Sequence, residues 1–220
     1  METIEMIVRF FQSGGPFMYP IAAVLVIGLA IALERWLVLT SARYTNRRAF
    51  DTAMALVKKR EFNAVIAAGS ESSVPMSRIV AAGIARFSGN RRRDDIESAM
   101  EEGVMEALPR LEKRTQYLAT LANVATLLGL LGTIVGLIAA FTSVASAAPA
   151  EKASMLSNSI SVAMNTTAFG LISAIPLLLL HAVLQTKTTE IVDSFEMASV
   201  KVLNTLADAN MLPAESRATD

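Results

Sequence analysis

Along most of this chain apolar residues recur in steps of three and four, and in two places the charged positions between them disappear. From Gln116 to Ala150 there is no Asp, Glu, Lys or Arg; after Glu151 and Lys152 a second such stretch runs from Ala153 to Thr186, interrupted only by His181. Crossing a bilayer takes about 20 mostly apolar residues. The two stretches therefore predict transmembrane helices over 116–144 and 157–185, joined by a loop at 145–156. A third apolar segment, Phe17 to Leu33 and then Trp36 to Leu39 past the Glu34–Arg35 pair, predicts a first span over 17–39. Phe17, Tyr19 and Trp36 sit near its ends, where amphipathic rings favour the membrane interface. Its length, and Arg9 as the one basic residue before it, argue for a retained helix rather than a cleaved signal peptide. Upstream, Ile4, Ile7, Val8 and Phe11 share a helical face and predict an interfacial amphipathic helix over 1–16, ended by Ser13-Gly14-Gly15-Pro16.

The remaining segments also carry the helical period. Phe50, Met54, Leu56, Val57, Val65 and Ile66 predict a helix from Thr45 to Ala68, and Met76 to Phe87 a shorter one. Ile96, Met100, Val104, Leu108 and Leu111 predict a helix from Arg91 to Leu118, kinked at Pro109, that runs into the second span without a break. Ile191, Phe195, Ala198, Val202 and Leu206 extend the third span into 186–220, with the end frayed from Asp208. No stretch reads as a β-strand. The fold class expected is an all-α integral membrane protein with three transmembrane helices, the second and third extended into a cytoplasmic helical bundle.

Charge adds an orientation. Arg35, Arg43, Arg47 and Arg48 follow the first span, and Arg110, Lys113 and Arg114 precede the second, whereas only Lys152 lies between the second and third. Basic residues near the membrane mark the cytoplasmic side. Segment 40–115 and the C-terminus are thus expected inside, and the N-terminus and the loop around Pro149 outside. Composition excludes whole classes of chemistry. The chain has 220 residues, is 53% hydrophobic, has no Cys, one His and a formal net charge of zero. Thiol chemistry and multi-histidine metal sites are out, no cofactor is expected, and no basic bias points to nucleic acid. No acid pair or nucleotide loop suggests an enzyme.

The spans themselves are dotted with residues that a lipid-facing helix has little use for. Gly129, Gly132 and Gly136 form a smooth stripe, of which Gly132 to Gly136 is a GxxxG, and small residues let helix backbones approach closely. Packing is the simplest role for them and for Gly170. Thr133 lies beside the stripe at mid-membrane; its hydroxyl either bonds back to its own helix, the simpler reading, or faces a cavity. The middle of the third span carries six hydroxyl or amide side chains, Ser159, Ser161, Asn165, Thr166, Thr167 and Ser173. The Asn165 amide is costly to bury without partners, so it must face another helix or water. Together they favour a lined cavity over interhelical glue alone.

Leu128-Gly-Leu-Leu-Gly-Thr-Ile-Val-Gly136 resembles a "GLxGTVxG" signature, and Thr167-Ala-Phe-Gly170 with Ala174-Ile-Pro176 resembles an "ATAxGLxxAIP" third helix, both of the ExbB/TolQ/MotA proton-channel family. Glu34-Arg35, the three-span layout and the chain length fit it too, and the ExbB/TolQ branch is the nearer match. That resemblance implies a homo-oligomer, a pentamer, in a bacterial inner membrane. Its second and third helices would line a pore that receives single-span partners of the ExbD/TolR type, each supplying a membrane Asp, and a TonB- or TolA-like protein would carry the motion outward. It also implies that Thr133 and Thr167 are pore threonines, with Asn165, Thr166 and Ser161 beside them on the ion pathway. The chain differs from that branch at Val162, where the branch carries Glu, and at Thr126, where it carries Pro. The alternatives are a flagellar or gliding stator subunit and a non-conducting membrane scaffold. From the residues alone, neither pore-candidate helix holds a central ionisable group, so a proton relay would need an acid from a partner.

Overall fold

The computed structural model describes residues 10–11, 14–89 and 92–208. The amphipathic segment expected over 1–16 falls, except for residues 10–11 and 14–16, outside the described residues, as does the chain beyond Asp208. Among the described residues six long or medium helices follow in order: α1 Met18–Lys58, α2 Phe62–Ser70, α3 Pro75–Gly89, α4 Arg93–Glu112, α5 Thr115–Ser146 and α6 Lys152–Asp208. Among the described residues there is no strand. The apolar stretches of α1, of the α4–α5 run and of α6 are each long enough to cross a membrane.

Two of the expected helices are divided. The helix predicted from Thr45 to Ala68 stops at Lys58, turns through Arg60 at φ 63°, and restarts at Phe62. The run predicted unbroken from Arg91 to Leu118 is interrupted at Lys113–Arg114, with Arg114 at φ 67°. Left-handed backbone costs a non-glycine residue about 1–2 kcal/mol, and here two anchors hold it. Arg114 Nη1 donates to both carboxylate oxygens of Glu34, at 2.9 and 3.0 Å. The carbonyl of the next residue, Thr115, lies 3.1 Å from His181 Nδ1. Pro109 stays inside α4, and the Lys113 amide bonds to its carbonyl. In the other direction α1 and α6 are longer than a bilayer needs: α6 continues for 57 residues, through Pro176, without a break.

The chain forms two compact units. The first comprises Met1–Arg35 and Arg114–Leu184. Between α5 and α6 many of its buried positions are small or polar: Ala122, Ala125, Gly129, Gly132 and Ala140 on α5, and Ala163, Thr166, Gly170, Ser173 and Ala174 on α6. Met18, Ile21, Leu118, Leu177 and Leu184 are buried as well, but many of its large apolar side chains, among them Leu127, Ile138, Phe141, Ile172 and Leu179, are exposed. That is the pattern of helices surrounded by hydrocarbon, where close packing rather than escape from water holds them together.

The second unit comprises Trp36–Lys113 and Gln185–Asp220. Here Ile79, Ile84, Ile96, Met100, Phe195 and Leu203 are buried. Ile96 and Met100, like Ile191, Phe195, Ala198, Val202 and Leu206, occupy the faces their spacing predicts. Pro75 opens α3, a position where its missing N–H costs nothing. The next amide, Met76 N–H, donates to Asn46 Oδ1 at 3.1 Å, while Asn46 Nδ2 donates to Ala42 O at 2.9 Å. Buried Asn46 thus caps a helix 30 residues away in sequence.

Candidate functional site

The contact between α5 and α6 in the first unit is built on residues without side chains. A Cβ placed on Gly129 would lie 3.2 Å from the Cα of Gly170 and 3.3 Å from both the Thr166 carbonyl and the Thr167 Cα. A Cβ on Gly170 would meet the Ala125 carbonyl at 2.8 Å and the Gly129 Cα at 3.0 Å, both backbone atoms that cannot swing away. Gly132 lies against the Thr166 methyl group, and Gly136 against Ala163, whose Cβ would be 3.1 Å away. The stripe Gly129, Gly132, Gly136 therefore meets a helix of its own chain.

Ala125 and Ala163, which sequence reasoning passed over, belong to the same seam. The signal was present: Ala122, Ala125, Gly129, Gly132, Gly136 and Ala140 step by threes and fours, so the small-residue face is about twice as long as its glycines.

The hydroxyls divide into three kinds. Thr133 Oγ1 donates to Leu130 O of its own helix at 2.6 Å, the simpler of its two expected roles. Thr167 Oγ1 crosses the seam and donates to Gly129 O at 3.0 Å. Thr166, 2% exposed, has two acceptors within reach of one proton: Gly14 O at 2.7 Å and Val162 O at 2.9 Å. The expected site residues are thus partly brought together. Gly129, Gly132, Gly170, Thr166 and Thr167 share the seam. Asn165 is half-buried beside Thr166, while Ser161 is exposed on the turn before. Ser173, fully buried one turn beyond Gly170, has a hydroxyl without a hydrogen-bond partner.

The N-terminal turn joins the site, which no spacing rule indicated. Gly14 supplies the carbonyl to Thr166, Gly15 at φ 74° packs on Val162, and Phe17 reaches Gly132. Phe10 and Phe11 meet Phe169 edge-on, at 6.4 and 5.7 Å between ring centroids.

Chemically this is an uncharged, hydroxyl-bearing seam. A threonine hydroxyl that donates to a backbone carbonyl keeps lone pairs that can accept. Thr133 and Thr167, both committed as donors, can thus receive a hydrogen bond from a protonated acid or a water. At the other end of α5 and α6, His181 faces the Thr115 carbonyl. A carbonyl only accepts, so Nδ1 carries the proton and Nε2 is left to accept or, once charged, to donate. Among the described residues no group of three His, Cys, Asp or Glu side chains could hold a metal ion.

The pattern of the MotA/TolQ/ExbB proton channel family matches residues 71–197, more than half of the chain. The chain belongs to this family. No curated protein matches it. The family is one of proton channels, and with three helices long and apolar enough to cross a bilayer the chain fits a multi-pass membrane protein. The matched region contains all of α3, α4 and α5 and most of α6, and so includes both sides of the glycine seam.

Proposed function

We propose that the chain is the channel-forming subunit of a proton-driven motor in a bacterial inner membrane. In this reading it assembles as a homo-oligomer, a pentamer, with the N-terminus periplasmic and the C-terminus cytoplasmic. It works with a single-span partner of the ExbD/TolR type and passes motion to a TonB- or TolA-like protein for energised outer-membrane transport or envelope maintenance. One observation carries it: in a proton-channel family member, residues 116–150 and 153–180 hold hydroxyls and amides but no Asp, Glu, Lys, Arg or His. A proton relay needs a titratable group, so the acid comes from the partner. Thr133 and Thr167 then present lone pairs to that acid, and Asn165 and Ser161 hydrate the path.

The motifs around Gly132-Thr133 and Thr167 to Pro176 support the ExbB/TolQ branch. Val162, where that branch carries Glu, favours a second reading as a stator-like subunit driving rotation or motility; the channel chemistry is the same.

Proton flux into liposomes tests the shared core of both readings. The chain alone is expected to conduct poorly, the chain with its single-span partner to conduct, and the partner with its membrane Asp changed to Asn to fall back to the level of the chain alone. Equal flux in all three preparations would place the relay in water or in residues of this chain.

A further inference from the structure

The apolar segment of α1 ends at Leu39, and the next charged residues on that helix are Arg43, Arg47 and Arg48, with no acid until Asp51. Trp36, Thr40, Arg43 and Arg47 recur by fours and threes and so share one face of α1. Two side chains of α6 meet that face. Lys187 Nζ sits 3.3 Å from the centroid of the Trp36 ring and 3.3 Å from Thr40 Oγ1. Arg43 Nη1 donates to Glu190 Oε2 at 2.8 Å.

These contacts hold the cations in place without using up their donors. The ammonium of Lys187 has three N–H groups and the Arg43 guanidinium five; the Arg43 side chain is 65% exposed. Arg47 and Arg48 are exposed and enter no ion pair among the described residues. Of the four cations Arg43, Arg47, Arg48 and Lys187, only Arg43 is paired with a carboxylate among the described residues, that of Glu190, and the next acid on α1 is Asp51. Along a helix Arg43 lies about 6 Å beyond Leu39 and Arg47 about 12 Å. The headgroup layer is about 5–7 Å thick on each side of the hydrocarbon, and an arginine stem lets the second reach back into it.

We propose that Arg43, Arg47 and Lys187, framed by Trp36, form a binding ridge for the headgroups of anionic phospholipids. Positive charge alone would orient the chain in the membrane. The ridge adds pre-positioning: an indole at interface depth holds one ammonium, and a threonine hydroxyl fixes it beside an arginine fork suited to phosphate. The inference rests on the membrane-spanning reading of α1 and α6, and is independent of proton movement or of any protein partner.

Trp36 is the only tryptophan in the chain, so its fluorescence reports on the ridge alone. The full chain is reconstituted in phosphatidylcholine vesicles containing brominated phosphatidylglycerol or brominated phosphatidylcholine, and quenching gives the relative affinity for the two lipids. Wild type is expected to prefer the anionic lipid by at least about fivefold, the effect of one cation near a membrane surface. Arg43→Gln/Arg47→Gln/Lys187→Gln together should bring the ratio to about one. Arg47→Gln, which breaks no ion pair, should lower it alone. Glu190→Gln breaks the same bridge as Arg43→Gln but should keep or raise the preference. Arg92→Gln/Arg93→Gln should leave it unchanged. The proposal is overturned if the triple variant keeps the preference, if Glu190→Gln loses it as Arg43→Gln does, or if the Arg92/Arg93 control loses it equally. Absence of quenching by either lipid would overturn both the ridge and the membrane-spanning reading, whereas a failed flux experiment would leave the ridge untouched.

Discussion

The two units solve the packing problem in opposite ways. In the second, Phe195, Ile96, Met100, Ile79 and Leu203 are buried and charged residues such as Arg78 and Glu106 are exposed, as expected where removal of apolar area from water is the driving force. In the first, the α5–α6 seam buries glycine, alanine and threonine, and although Ile21, Leu118 and Leu177 are buried, many leucines and isoleucines, and Phe141, are exposed. Hydrocarbon gives no reward for burying a leucine, so the interior is filled by whatever lets backbones touch. The contrast is visible along α6 itself. Its buried positions run Ala163, Thr166, Gly170, Ser173 and Ala174, then Leu177 and Leu184, and in the second unit Ile191, Phe195 and Val202, one helical period that passes from small side chains to large.

The largest expected effect comes from removing bulk where bulk is the core. Phe195→Ala should destabilise the chain by about 3–5 kcal/mol, read as loss of the melting transition of the full chain in mild detergent. A change below about 1 kcal/mol would mean that the second unit does not depend on large side chains.

The second prediction sets one substitution in both regions. Gly170→Ala puts a methyl against the Ala125 carbonyl and should cost about 1–3 kcal/mol. Gly83→Ala meets Met100 Cγ at 2.5 Å and Sδ at 2.6 Å, a side chain that can turn rather than a backbone, and gains about 1 kcal/mol of helix propensity. It should cost less than Gly170→Ala. Equal cost at both sites, in the same melting assay, would erase the distinction between a backbone seam and a side-chain core.

The smallest effect concerns hydroxyls within the seam. Thr167→Val removes the cross-helix bond to Gly129 O and should cost about 0.5–1 kcal/mol. Thr133→Val removes a bond within its own helix and should change the melting point by no more than a few tenths of a kcal/mol. If the Thr133 variant is the less stable of the two, its hydroxyl has a partner beyond Leu130.

Much of this was legible in sequence because it depends on period. Three apolar runs, the absence of strands, the buried faces of α4 and α6 and the glycine stripe all follow from which residues recur at threes and fours. What was not legible depends on partners remote in sequence. Arg60 and Arg114 break helices with no glycine or asparagine to mark the turn. The second is held by Glu34 and by His181, 80 and 66 residues away from the atoms they bind. Thr166 reads as one more hydroxyl in a polar span. Its bond to Gly14, 152 residues earlier, exists only because the N-terminal turn folds onto α6. The site is therefore known in composition from the chain, and in connectivity only from the fold.

A seam of glycines has a mechanical consequence. Large side chains that interdigitate lock two helices in register, because a slide along the axis drives knobs into one another. Gly129 and Gly170 bring two backbones so close that a Cβ on either would meet main-chain atoms of the other helix. A slide by one turn, about 5.4 Å, would set Thr166 or Ala174 where Gly170 stands and drive its Cβ into the Ala125 carbonyl. The seam is therefore a keyed joint with one setting given by shape, and the Thr167 bond to Gly129 O and the Thr166 bond to Gly14 O close it. A force applied to either helix is thus expected to move α5 and α6 as one piece.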